Sequence, residues 1–226
     1  MPEPLIKIMV SSSVYHFEDQ LDQIAAVLKG YGYETIMSHL ETVRVGPHQH
    51  NFEACRRAVA ECDVFLGIIR GQYGSGRGAG HGLADDEVSI THAELRHALF
   101  LDKPRLFLVD AGVDVARQLL RPLRTYLAGE LFNAQQQPVW RPTGNPFKHN
   151  PVLDDLRVLD MYDEVLLSRT PLLQRQDHWC QIYRSLTDIQ RFLETQFRDE
   201  PQLRADLKAA LAAPNTVQQP ESLLTP

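Results

Sequence analysis

The chain has 226 residues, 43% of them hydrophobic, with 23 Lys plus Arg against 29 Asp plus Glu and a net charge of −6. That length suits one ordinary domain with an addition, and the apolar share is enough for a core. A mildly acidic balance with no basic run argues against nucleic acid as a partner, because phosphate binding needs clustered cations.

Met1-Pro2-Glu3-Pro4 leads straight into a strand-like run, with no basic segment followed by a long apolar one. No apolar run nears the roughly 18 residues of a membrane span. A cytoplasmic protein without membrane contact is expected. The cysteines are Cys55, Cys62 and Cys180. Cys55 and Cys62 lie two helical turns apart, roughly 10.5 Å, which is too far for a disulfide. Buried thiols in a reducing compartment are expected.

Ile6–Val10 is apolar and rich in branched residues, and it predicts a buried strand ending before Ser11-Ser12-Ser13. Phe17, Leu21, Ile24, Ala25 and Leu28 recur at helical spacing, with a stop near Gly30. Tyr33–Met37 predicts a second strand. Asn51 is placed to cap a second helix with the stripe Cys55, Ala58, Val59 and Cys62. Val64–Ile69 is apolar throughout, as central parallel strands are. A loop with six glycines runs from Gly71 to about Asp86, and a third helix covers Ile90–Leu101. Lys103-Pro104 ends that helix, and Arg105–Val109 is the fourth strand. Alternation of this kind implies a parallel sheet with helices on both faces.

Beyond Asp110 the pattern weakens. Val113–Ala128 is helical in spacing, with Pro122 expected to kink or divide it. Asn133–Asn150, which holds Pro138, Pro142 and Pro146, reads as an irregular excursion. Leu153–Leu167 fits a helix, although Val165-Leu166-Leu167 also fits a fifth strand. Trp179, Ile182, Tyr183, Leu186, Ile189 and Leu193 form a helical stripe, with Asp177 as a possible cap. A short helix is expected over Gln202–Ala212, and a disordered tail over 214–226. The expected organisation is a core over 5–112, the remainder of the α/β domain with a helical segment over 113–199, and that tail.

Ligands of open parallel sheets bind outside the carboxyl ends of the strands. Three loops leave those ends with suggestive residues. Ser11, Ser12, Ser13 and Tyr15 follow the first strand. The hydroxyls beside free amides at a helix start suit a phosphate or ribose, or one of them simply caps the helix. Gly71, Tyr73, Gly74 and Ser75 follow the third strand. Glycine lets backbone approach a ligand, and a tyrosine ring offers a stacking face; the alternative is a flexible connector. Gly76–Gly82 reads as a lid. The glycine pattern lacks the Gly-Lys-Ser/Thr ending of a phosphate-binding P-loop.

The third cluster is Ser89-Ile90-Thr91-His92-Ala93-Glu94, with Glu94 in the first helical turn. A carboxylate there can stabilise or attack the cationic sugar that forms when an N-glycosidic bond breaks. Thr91 and Glu94 also have capping-box spacing, in which Glu94 would bond back to the Thr91 amide. Spacing alone leaves both roles open and favours the cap. No histidine pair has metal-ligand spacing, no nucleophile elbow is present, and no cofactor is expected.

Ile6–Ser13, Ala60–Ile69, Gly71–Ser75, Ser89–Leu95 and Lys103-Pro104 together resemble the domain of unknown function 4062 family. The resemblance extends more loosely over Asp154–Phe197. That family is itself similar to TIR domains and nucleoside deoxyribosyltransferases, which have a flavodoxin-like sheet and a glutamate near a helix start. The resemblance implies a TIR-like α/β fold with Glu94 at the catalytic position. It implies a nucleotide or nucleoside ligand, NAD-like, whose N-glycosidic bond is cleaved or transferred, in stress or antiviral defence signalling. A homo-oligomer or an NTPase-type signalling partner would fit it too. The rival expectation is a nucleotide-sensing or assembly module without chemistry. The glycine-rich Gly76–Gly82 and Gln72, where relatives carry a basic residue, depart from the family pattern.

Overall fold

The computed structural model describes residues 3–40, 42–43, 51–74, 88–126, 150–167, 175 and 178–212. In chain order these form β1 (Lys7–Ser12), α1 (Glu18–Gly30), β2 (Glu34–Ile36), α2 (Asn51–Glu61), β3 (Val64–Ile69) and α3 (Ile90–Phe100). There follow β4 (Arg105–Asp110), α4 (Ala111–Tyr126), α5 (Arg157–Val165), β5 (His178–Tyr183), α6 (Leu186–Phe197) and α7 (Glu200–Ala212). The five strands are all parallel, in the order β2-β1-β3-β4-β5. This is the doubly wound, flavodoxin-like order, in which the chain reverses direction across the sheet between β1 and β3.

Strand alternation divides the core into two layers. Met9, Phe65, Phe107 and Val109 face Val59, Leu95, Ala98, Val113 and the α5 residues Val158, Leu159 and Val165. Ile8, Val10, Leu66, Ile68 and Leu108 face Leu21, Ile24 and Leu28 of α1 and Ile189, Phe192 and Phe197 of α6. Phe65 and Phe107 are fully buried and meet at 6.0 Å; burial of each ring is worth about 1.5–3 kcal/mol. Gly67 is required there, because a Cβ would come within 2.6 Å of the Phe107 ring.

Several boundaries differ from the sequence expectation, each for a local reason. β1 runs on through Ser11 and Ser12, which pair with Gly67 and Ile68 of β3; serine is tolerated because the ladder uses backbone groups only. α1 starts at Glu18, with Phe17 at its cap position and no side-chain cap bond. The three serines therefore do not sit at a helix start. The end of α1 at Gly30 agrees with the expectation; Gly32 (φ +95°) turns the chain after it, and Tyr33 N donates back to Leu28 O at 3.1 Å. α2 begins on Asn51 itself. α4 is continuous through Pro122 and is not divided there.

The largest correction concerns the stripe from Trp179 to Leu193. Its first part is β5, which pairs with β4 from Arg105↔His178 to Asp110↔Tyr183, and only its second part is helix α6. Val165-Leu166-Leu167 accordingly is not a strand: Val165 ends α5. β5 is held at its start by His178, whose Nε2 donates to Val165 O at 2.6 Å while Arg105 Nε donates to its Nδ1 at 3.1 Å. Ser185, not Asp177, caps α6, accepting from Asp188 N. Asp177, the 214–226 tail and most of the excursion over Asn133–Asn150 lie outside the described residues.

Candidate functional site

Glu94 is the fifth residue of α3, one turn deeper than expected. Ser89 is the N-cap, and its Oγ accepts from His92 N at 3.2 Å. Thr91 lies inside the helix, so the capping box does not form. Glu94 instead points at the end of β1, where the Ser11 hydroxyl donates to its Oε2 at 2.5 Å. Its other oxygen, Oε1, is buried without a hydrogen-bond partner among the described residues. The carboxyl group is 3% exposed. Burial raises its pKa to about 7, against the pull of Ser11 and of the neighbouring Cys55 thiol toward the charged form. Burial and the proximity of Glu94 push the Cys55 thiol well above its usual range. A carboxyl balanced near neutrality, at the switch point of a parallel sheet, is where acid–base or nucleophilic work is placed.

Tyr73 occupies a different place from the one its ring suggested. It is 1% exposed. The Arg157 guanidinium covers its face at 4.3 Å, and His92 meets it edge-on at 5.7 Å. Its hydroxyl is 2.7 Å from His92 Nδ1, and His92 Nε2 is 3.2 Å from Glu164 Oε2. Glu164 also receives Arg96, at 2.7 Å from Nη2 to Oε1. Burial alone would raise the Glu164 pKa, but the hydrogen bonds from His92 and Arg96 hold it down at about 2. Since an ionised carboxylate only accepts, His92 carries its proton on Nε2, and its Nδ1 accepts a hydrogen bond from the Tyr73 hydroxyl. Burial lowers the His92 pKa and so favours this neutral ring. Tyr73 thus anchors its loop to α3 and α5 and is not open for stacking.

The same loop is clamped by the segment before α5. Asp154 N donates to Gly71 O at 2.8 Å, and Tyr73 N donates to Asp154 Oδ1 at 2.9 Å. Any Cβ at Gly71 would overlap the Val152 carbonyl. Gly71–Gly74 is therefore a held turn, and Gly74 (φ +87°) needs its glycine for the backbone conformation. A Cβ at Gly74 would lie 3.6 Å from Ser13 Cβ and from Thr91 Oγ1, and 3.8 Å from Ser89 Cβ. The three loops predicted from sequence do meet, at Gly74.

Ser12 Oγ donates to Ser13 O at 3.2 Å, while Ser13 Oγ is buried with no partner. The Tyr15 ring is 53% exposed, so it, unlike Tyr73, presents an open aromatic face. Arg70, not singled out by the sequence motifs, organises this edge. Its Nη1 donates to Ser13 O at 3.4 Å and to Tyr15 O at 2.9 Å, and its guanidinium lies 4.2 Å over the Phe17 ring. The available signal was a charged residue directly ending an all-apolar central strand. Cys55 was likewise read only as core. Ser75 and the expected lid Gly76–Gly82 lie outside the described residues. Among the described residues, no group of three or more His, Cys, Asp or Glu is arranged to hold a metal, and no helix is long and apolar enough to cross a membrane.

A family model described as a domain of unknown function (DUF4062) matches residues 7–141. The match takes in all three loops and stops before α5, β5 and α6. A comparison with curated proteins gave no match. Covering more than half of the 226 residues, the family match establishes that the chain belongs to the domain of unknown function 4062 family.

Proposed function

We propose that this protein binds a nucleotide or nucleoside at the carboxyl edge of β1 and β3 and acts on its N-glycosidic bond through Glu94. One observation carries the reading: a buried carboxyl with a pKa near 7, held by Ser11 at the sheet's switch point, with one oxygen unpartnered. An oxocarbenium-like sugar would supply the positive charge that this site lacks, and would draw Glu94 into its ionised form. Tyr15 offers a stacking face for the base, and Gly74 lets the ligand approach backbone. Glu94 is covered in the structure, so ligand entry must separate it from Ser11. The likeness to TIR domains and deoxyribosyltransferases favours NAD or a nucleoside as substrate, and suggests defence signalling as the setting.

A second reading is an assembly or sensing module without turnover. The edge strand β5 favours it, because Trp179 and Ile182 are exposed at 56% and 37% on a strand whose outer edge has no partner among the described residues. Incubating concentrated protein with NAD and with purine nucleosides, then separating the products by chromatography, tests the first reading. Release of free base supports it. Intact substrate at both low and high protein concentration moves the assignment to the module.

A further inference from the structure

The edge beside Glu94 holds a buried hydroxyl that folding leaves unused. Ser13 is 4% exposed, and among the described residues its Oγ has no hydrogen-bond partner. Such a group costs about 1–3 kcal/mol unless something completes it. Ser13 Cβ, Ser89 Cβ and Thr91 Oγ1 all lie within 4 Å of where a Gly74 Cβ would be, so Ser13 sits close to the start of α3. There the Ser89 side chain takes the His92 amide, and the Ser89 carbonyl takes the Ala93 amide at 2.9 Å. The amides of Ile90 and Thr91 precede these and have no carbonyl within the helix to bond. The positive end of the α3 dipole is directed at the same place.

Arg70 stands behind Ser13. It holds the Ser13 and Tyr15 carbonyls, and among the described residues no carboxylate pairs with it. Asp110 and Glu18 act on its charge without pairing with it; Asp110 Oδ1 takes the Gly112 amide at 2.7 Å, and Glu18 Oε2 takes the Phe17 amide at 2.9 Å. A helix start, a glycine backbone and an unpartnered hydroxyl thus meet at Gly74, with Arg70 on the carbonyl side of Ser13.

We propose that Ser13 Oγ, the Gly74 backbone and the first amides of α3 form a phosphate-ester subsite, with Arg70 as the residue that positions Ser13 and adds positive field. The proposal rests on the nucleotide reading of the Glu94 site and sharpens it: the ligand is a phosphorylated nucleotide, not a free nucleoside. The spacing agrees. Ser13 is two residues beyond Ser11, which at an extended-chain rise puts them at most about 7 Å apart. That is the reach from the anomeric carbon of one pentose, at Glu94, to a phosphate on its 5′ oxygen.

Calorimetric titration of the full chain with ribose 5-phosphate and with ribose tests this. Ribose 5-phosphate should bind at least tenfold more tightly than ribose, and its affinity should fall as salt is raised. Ser13→Ala should lose fivefold or more of the ribose 5-phosphate affinity while unfolding at a urea concentration no lower than wild type, since the hydroxyl has no partner to lose and its burial is itself unfavourable. Arg70→Gln should weaken ribose 5-phosphate as well. Equal affinity for the two sugars, no binding of either, or no loss in Ser13→Ala overturns the subsite. The two readings fail separately. Base release at equal kcat/KM from a nucleoside and its 5′-monophosphate overturns the subsite and spares Glu94. Phosphate-dependent binding without base release supports the subsite and removes the catalytic role of Glu94.

Discussion

Ser11 and Glu94, 83 positions apart in sequence, are joined by a hydrogen bond of 2.5 Å that ties the end of β1 to the second turn of α3. The Cys55 thiol lies beside the same carboxyl, and among the described residues its Oε1 has no hydrogen-bond partner. The fold therefore carries a titratable group at its centre whose charge it only partly compensates.

The first consequence is a pH dependence. Glu94 titrates near pH 7 in the folded chain and near 4.5 when exposed. The native state thus binds the extra proton, and stability falls as pH rises between those values. It is highest below about 4.5, as far as Glu94 is concerned, and the loss is complete above about 7. Gln mimics the protonated form, so Glu94→Gln should be more stable than wild type at pH 8, by up to roughly 3 kcal/mol, and similar to it at pH 5. His92 contributes with the opposite sign, because its pKa is lowered by burial. The difference between variant and wild type in urea unfolding isolates Glu94. No pH dependence in that difference would contradict the assignment.

Ser11→Ala removes the hydroxyl donor to Glu94 and leaves the Cys55 thiol beside it. The variant should lose about 1–3 kcal/mol at pH 8, the cost of leaving a buried charged acceptor without its partner. The loss should shrink toward pH 5, where the carboxyl is protonated. Urea unfolding at the two pH values checks both statements.

Tyr73→Phe keeps the ring under Arg157 but deletes the hydroxyl that His92 Nδ1 accepts from. The expected cost is about 1–3 kcal/mol. Amide exchange should quicken at Gly71–Gly74, because the anchor of that turn is lost. Unchanged exchange would mean that Asp154 alone holds the loop.

Gly71→Ala has no room at all, since its Cβ would overlap the Val152 backbone carbonyl. Overpacking against backbone cannot be relieved by a rotamer change, so a loss of at least about 3 kcal/mol is expected. Thermal unfolding beside wild type measures it.

The sequence made the central sheet legible where burial on both faces leaves only apolar residues, as in Val64–Ile69, whose bounds agree with β3. It was less legible at the rim. Ser11 and Ser12 read as loop because hydroxyls interrupt the apolar run, yet strand pairing needs only their amides and carbonyls. β5 was hidden by coincidence: Trp179, Ile182, Tyr183 and Leu186 match a helical period, while an edge strand with exposed Trp179 and Ile182 has no clean alternation to betray it. At the site, the meeting of three loops followed from topology. The partners did not. Ser11 facing Glu94, Cys55 beside it and Arg70 bracing Ser13 are contacts between distant segments, which no local spacing encodes. Tyr73 misled for the same reason, because its cover, Arg157, comes from a helix 84 positions later.

The central claim is that Glu94 acts on an N-glycosidic bond. Its most direct test is free-base release by concentrated wild type beside Glu94→Gln, with NAD and a 5′-nucleotide as substrates. Both proteins are first shown to be folded at the assay pH. Base release by wild type, reduced at least a hundredfold in Glu94→Gln, is the predicted result. Equal release by the two proteins, or none by wild type at any concentration, would contradict it.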